Sequence, residues 1–121
     1  MTAALLDHRT LTVDEISALT SNDVAGMVGE VATVADSGPY LDKYYQENPR
    51  RISVGTPPVK GKFWEKVGQV ADILKGSDEW PFDPLTVRGK TLYDGHHRAN
   101  AAILVGWSKP IPVSEDWFYN S

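Results

Sequence analysis

None of the 121 residues is cysteine, which removes disulfides, a thiolate nucleophile, Cys-ligated zinc and iron–sulfur clusters at once. Histidine is scarce: His8 stands alone, and His96 and His97 are adjacent. No apolar run approaches the roughly 18 residues needed for a membrane-spanning helix. Residues Met1 to Leu11 place no basic stretch ahead of an apolar one, so neither a secretory signal nor a transit peptide is expected. The expected compartment is cytoplasmic, with no membrane partner. With 41% hydrophobic and 23% charged residues, the composition is that of a soluble globular domain rather than a disordered or fibrous chain.

The net charge of −4 argues against coating nucleic acid by bulk electrostatics, but the charges are unevenly spread. Residues 1–39 hold one basic group, Arg9, against six acidic ones. Residues 40–66 reverse the sign, with Lys43, Arg50, Arg51, Lys60, Lys62 and Lys66 against three acidic groups. This basic middle is available to an anion if the fold gathers it on one face, and is otherwise a solvated surface. Arg50, Arg51, Lys60 and Lys62 are its candidate nucleic-acid contacts.

Thr12 and Glu15 have the spacing of a capping box, which predicts a short helix over about 13–19. Ser21, Asn22 and Asp23 supply a second start signal. Val24, Met27, Val28, Val31 and Val34 then fall on one helical stripe, predicting a core-facing helix ended by Ser37-Gly38-Pro39. Tyr40 to Gln46 fits one or two helical turns before Asn48-Pro49. Ile52 to Val54 alternates as a strand, and Gly55-Thr56-Pro57-Pro58 begins a loop. Phe63, Val67, Val70, Ala71 and Leu74 predict a helix from Lys62 to Lys75, with Gly76 at a left-handed cap. Leu85 to Val87 and Thr91 to Tyr93 read as a hairpin around Arg88-Gly89-Lys90. A helix over His97 to Val105 stops at Gly106, and Ile111-Pro112-Val113 reads as an edge strand because proline donates nothing to a ladder. Trp117, Phe118 and Tyr119 must pack on the core or on a partner.

Chemistry is most visible in Asp94-Gly95-His96-His97-Arg98, where a strand, a tight turn and a helix start follow one another. A helix N-terminus offers unpaired amides and the positive end of the backbone dipole. Gly95 clears room for oxygens to approach the backbone, and Arg98 offers two parallel donors. His96 and His97 add groups that titrate near neutrality. The competing reading has Asp94 cap the helix itself and pair with Arg98, leaving nothing to bind. Adjacent histidines on a glycine turn are weak metal ligands by spacing.

The run from Asp94 to Ala102, followed by Leu104-Val105-Gly106-Trp107 and Ile111-Pro112-Val113, resembles the signature of the ParB/sulfiredoxin superfamily, including ParB-like nuclease domains. The resemblance covers about residues 50–113. It implies an α+β fold, a small mixed sheet flanked by helices over residues 50–121; residues 1–49 have no counterpart in it, and their helix signals make them an expected N-terminal helical extension packed on this core. By position it makes Gly95, His97 and Arg98 the phosphate-binding residues. His96 stands where sulfiredoxins place a catalytic cysteine and partition proteins a glutamate. Without a cysteine, sulfinic-acid repair is excluded, and without a downstream acidic motif and helix-turn-helix a CTP-driven DNA clamp is not expected. The resemblance points to small proteins of phages and mobile elements.

Two functions follow as expectations. In the first, the turn binds a nucleotide or nucleic acid and supports nuclease or phosphotransferase chemistry. His96 and His97 would move protons, and Asp94 would share Mg²⁺ with the phosphate of a nucleoside triphosphate or DNA. In the second, a non-catalytic protein engages a host or self partner through its acidic helices or aromatic tail.

Overall fold

The computed structural model describes residues 9–48 and 62–115. Strand β1 (Arg9–Leu11) leads into helix α1 (Val13–Ser17), whose capping box is fully formed. Thr12 N donates to Glu15 Oε1 at 2.9 Å, and Glu15 N donates to Thr12 Oγ1 at 3.1 Å. Strand β2 (Thr20–Ser21) follows, then a wide helical turn over Val24–Val28, helix α2 (Val34–Glu47) and helix α3 (Phe63–Lys75). The remaining elements are β3 (Leu85–Arg88), β4 (Thr91–Asp94), α4 (His96–Val105) and β5 (Ile111–Ser114).

The five strands form one mixed sheet in the order β1-β5-β3-β4-β2, so the α+β expectation holds. β3 and β4 are an antiparallel hairpin around Gly89, whose φ of +58° is the left-handed conformation that such a turn requires. β2 joins β4 in parallel, and β5 lies parallel to β3 and antiparallel to β1. Both edges of the sheet therefore come from residues 9–21. Ile111–Ser114 is an interior strand rather than the expected edge. Its proline is tolerated because β3 pairs only with Val113 and Ser114, beyond Pro112.

The helices carry the other half of the core. Phe63, Val67, Val70, Ala71 and Leu74 are buried along one face of α3, as their spacing predicts. They meet α4, whose Ala99, Ala101 and Ala102 are small enough for close helix packing. Leu85, Val87, Leu92, Ile111 and Val113 supply the sheet's side of this core. Phe63, fully buried, is among its largest members, and its truncation to Ala would cost about 3–5 kcal/mol.

The expected helix through Val24 to Val34 is not present. Gly29, at φ +80°, ends the turn after a Gly29 N to Val24 O hydrogen bond of 3.1 Å. Val24 and Val34 are buried, but Met27 is 40% and Val31 86% exposed, so the stripe does not face the core. Nor does Ser37-Gly38-Pro39 stop a helix: α2 runs through it. Tertiary packing overrides the local signal here. Ser37 and Gly38 are buried, a Cβ on Gly38 would collide with the Trp64 ring, and Asn100 Nδ2 donates to Ser37 Oγ at 3.2 Å. Asn48 ends α2, as expected. Gly76 caps α3 at φ −94°, outside the left-handed region expected for it, whereas Gly106 closes α4 at φ +65°. The Ile52–Val54 strand, Arg50, Arg51, Lys60, His8 and the aromatic tail at Trp117, Phe118 and Tyr119 lie outside the described residues. Among the described residues no helix is long and apolar enough to cross a membrane.

Candidate functional site

The β4-to-α4 turn is built as its sequence implies. Gly95 takes φ +103°, where any side chain is strained, and a Cβ there would collide with Leu85 and come within 3.0 Å of an Arg98 Nη. Glycine is required both for its conformation and for this close approach. Gly95 itself is the N-cap of α4, no side chain among the described residues caps the helix, and its first turn holds no acidic residue. Asp94 thus does not act as the cap. It pairs instead with Arg98, 3.6 Å away, while Arg98 Nη1 donates to Asp83 O at 2.8 Å. Burial lowers the guanidinium's pKa while Asp94 and Asp83 oppose that shift, so Arg98 stays charged.

Around this elbow lies a cleft of about 440 Å³, within the range of small-molecule sites. Asp94, Gly95, His96, His97 and Arg98 all line it, so the fold brings together every residue singled out at the turn. Lys66 from α3 enters the same cleft, and Tyr45, Val70 and Phe82 form its apolar wall. His97 stacks on Phe63 with ring centroids 4.8 Å apart and lies 6.0 Å from Tyr45. Burial, then Lys66, then Arg98 lower its pKa, so it is a neutral imidazole at neutral pH.

His96 faces a different environment. Its Nε2 lies 2.8 Å from Ser21 Oγ, which also accepts the Val24 amide at 3.1 Å. Its Nδ1 lies 3.2 Å from Asp23 Oδ2, yet that oxygen is misaligned for a directed hydrogen bond. Among the described residues, Nδ1 and Trp107 Nε1 are the buried side-chain nitrogens without a hydrogen-bond partner. Burial, aided by His97, pushes His96 down to about 4, so it too is neutral at neutral pH. Asp23 is pushed up to about 6 by burial and by the Asp94 carboxylate. Serine, histidine and aspartate stand in the order of a hydrolytic triad, but Ser21 is fully buried, so no substrate reaches its hydroxyl.

Lys62 stands apart from the cleft, exposed and 3.6 Å from Glu65. Ser21, Asp23 and Lys66 are the site residues that sequence reasoning missed. Ser21 is 75 residues from His96, and no spacing rule connects positions so distant. In the sequence Asp23 reads as a helix start signal and Lys66 as one of a basic run.

A family model described as the Mycobacterium phage L5 gene 81 protein matches residues 1–120. The gene 81 protein of Mycobacterium phage L5 is 54% identical over 109 residues, covering 88% of this chain and 96% of that protein. No solved structure matches. These matches overturn the assignment to the ParB/sulfiredoxin superfamily. The resemblance rested on a short glycine elbow and an Ile-Pro-Val strand, local devices that any strand-turn-helix unit can use, whereas the gene 81 match spans nearly the whole chain. The expected phage affiliation agrees with both matches.

Proposed function

The chain belongs to the family of the Mycobacterium phage L5 gene 81 protein, and from the geometry of its cleft we propose that it binds a small phosphate-bearing ligand, a nucleotide, at the Asp94–Arg98 turn. The observation that carries this reading is the open N-terminus of α4. Among the described residues no side chain caps its first amides, which follow a glycine that the Arg98 guanidinium approaches closely. Phosphate oxygens accept from the amides of the first turn, as at other helix N-termini. Arg98 swings its free donors from Asp94 to the ligand, and Lys66 adds charge from the facing helix. Tyr45, Phe82 and His97 offer ring surface on which a base stacks. His97 is the proton-transfer candidate if a phosphoester is cleaved or transferred, because both nitrogens of His96, first expected to share that role, are buried and its Nε2 is held by Ser21. A Mg²⁺ ion brought in with a triphosphate reaches Asp94 only by displacing Arg98.

A concave site favours a mononucleotide over a DNA duplex, and the net charge of −4 points the same way. Isothermal titration with ATP, CTP and inorganic phosphate, each with and without Mg²⁺, tests the reading. Heat with a nucleotide that falls at least tenfold in affinity on Arg98→Ala supports it. Absence of heat with every probe, or binding unaffected by that substitution, removes it. Binding of an oligonucleotide but of no mononucleotide would move the function to nucleic acid.

A second reading, a non-catalytic interaction protein, draws on a groove of about 710 Å³ between the Val24–Val28 turn and α2. Met27 and Tyr40 line it and are 40% and 39% exposed, more than a satisfied core leaves open. Substituting both with Ser and comparing solution mass and partner capture tests that surface.

A further inference from the structure

Asp23 is a carboxylate in a cleft whose cations, Lys66 and Arg98, suit an anion. Its side chain keeps 25% of its surface open, and its Oδ2 lies 3.2 Å from His96 Nδ1. An ionised carboxyl offers about four lone-pair positions to donors. Among the described residues no directed hydrogen bond reaches either oxygen, and no lysine or arginine pairs with Asp23. Burial, together with the Asp94 carboxylate, pushes it up to about 6, as befits an acceptor short of donors. Asp94 differs in this respect, since Arg98 pairs with it at 3.6 Å.

We propose that Asp23 is the sugar-recognition residue of the cleft and that the ligand is a ribonucleotide, whose vicinal 2′- and 3′-hydroxyls donate to this carboxylate. The assignment rests on the nucleotide reading of the Asp94–Arg98 turn. A carboxylate repels phosphate, so the part of the ligand beside Asp23 is uncharged and carries donors. The phosphate goes to Arg98, Lys66 and the amides after Gly95. Sugar and base remain. The flat base takes the ring surfaces of Tyr45, Phe82 and His97, which leaves the sugar to Asp23. Asp23 and Asp94 feel each other as like charges, so Asp23 stands within electrostatic reach of the elbow, close to where a sugar attached to the bound phosphate lies.

Vicinal hydroxyls each donate to one carboxylate, and hydrogen bonds to an ionised acceptor are about twice as strong as neutral ones. The same chemistry places an acidic side chain on the ribose 2′-hydroxyl in dinucleotide-binding folds of unrelated architecture. His96 stands against Asp23 on its buried side, with its own Nε2 fixed 2.8 Å from Ser21 Oγ, so the acceptor is positioned before the ligand arrives. A 2′-deoxynucleotide leaves this partly buried carboxylate one donor short. A site that binds a hydroxyl through such an acceptor rejects the analogue that lacks it.

Isothermal titration of the full chain with ATP, dATP, CTP, dCTP and inorganic phosphate tests the assignment. Each ribonucleotide should bind roughly tenfold tighter than its 2′-deoxy counterpart. Asp23→Asn, nearly isosteric but uncharged, should cut that ratio roughly threefold or more while phosphate affinity stays level or rises. Asp72→Asn, a surface control on α3, should behave as the wild type. Equal affinity of the wild type for ribo and deoxy forms, or an undiminished ratio in Asp23→Asn, overturns the assignment. So does a variant whose preference between ATP and CTP changes with the ribose ratio intact, because Asp23 then reads the base. Nucleotide binding that Arg98→Ala weakens but that ignores the 2′-hydroxyl keeps the phosphate cradle and rejects the sugar contact. Absence of binding by every nucleotide removes both.

Discussion

The Nε2 of His96 and the Oγ of Ser21 lie 2.8 Å apart across 75 residues of chain, both side chains buried. This contact joins the first residue of α4 to the end of β2. It also holds the wide turn, because the same oxygen accepts the Val24 amide. Ser21→Ala leaves both an amide and an imidazole nitrogen without a partner in the interior. Its expected cost is about 1–3 kcal/mol, read as a lower urea midpoint with an unchanged slope. A variant as stable as the wild type would show that water replaces the hydroxyl without loss.

Gly95→Ala imposes a left-handed conformation on a residue with a side chain and drives that side chain into Leu85 and Arg98. The conformation alone costs on the order of 1–3 kcal/mol. Thermal unfolding should show the loss, and Arg98, displaced from the elbow, should bind nucleotide less well. Gly68→Ala makes a clean comparison, since a Cβ there meets nothing within 4 Å and the helix gains propensity.

Two groups in the cleft act oppositely on the pH dependence of stability. His96 is pushed down to about 4 in the fold, so across roughly pH 4 to 6.5 the unfolded chain binds a proton that the native protein does not. Stability from this group is lost as pH falls through that window. Asp23, pushed up to about 6, holds a native proton that the unfolded chain releases above its ordinary 3.8, so its contribution is lost as pH rises. The two offset between about pH 4 and 6. Urea midpoints of the wild type in EDTA should therefore change little there, while those of Asp23→Asn should climb with pH. A flat profile in the variant would rule out the depressed histidine.

Arg98→Lys keeps the charge but not the planar fork that reaches Asp83 O and Asp94 together. Nucleotide affinity should fall roughly tenfold, an intermediate result between the wild type and Arg98→Ala. Retention of full affinity would mean that charge alone, without two-pronged geometry, serves the site.

Much of the fold is legible in short stretches. The capping box at Thr12 and Glu15, the Gly89 hairpin, the α3 stripe and the Gly95 elbow all declare themselves within a few residues, since each is stabilised by contacts between near neighbours. Local signals mislead where distant packing outweighs them. Pro39 sits inside a helix because Trp64 and Asn100 close on Ser37 and Gly38. Val31 is exposed although its spacing matches a buried stripe. Of the site, the Asp94–Arg98 side was visible and the Ser21–Asp23 side was not.

The order of amino acids alone settles that a glycine elbow opens a helix beside Arg98, because backbone conformation and helix polarity are local matters. It also settles that no thiol chemistry takes place, because there is no sulfur nucleophile to perform it. Folding adds which charges surround that opening. Asp23 reaches His96, and Lys66 joins Arg98 in lining one cleft, only once β2 pairs with β4 and α3 packs on α4. Those pairings join segments tens of residues apart, and burial then sets the protonation of the groups they enclose.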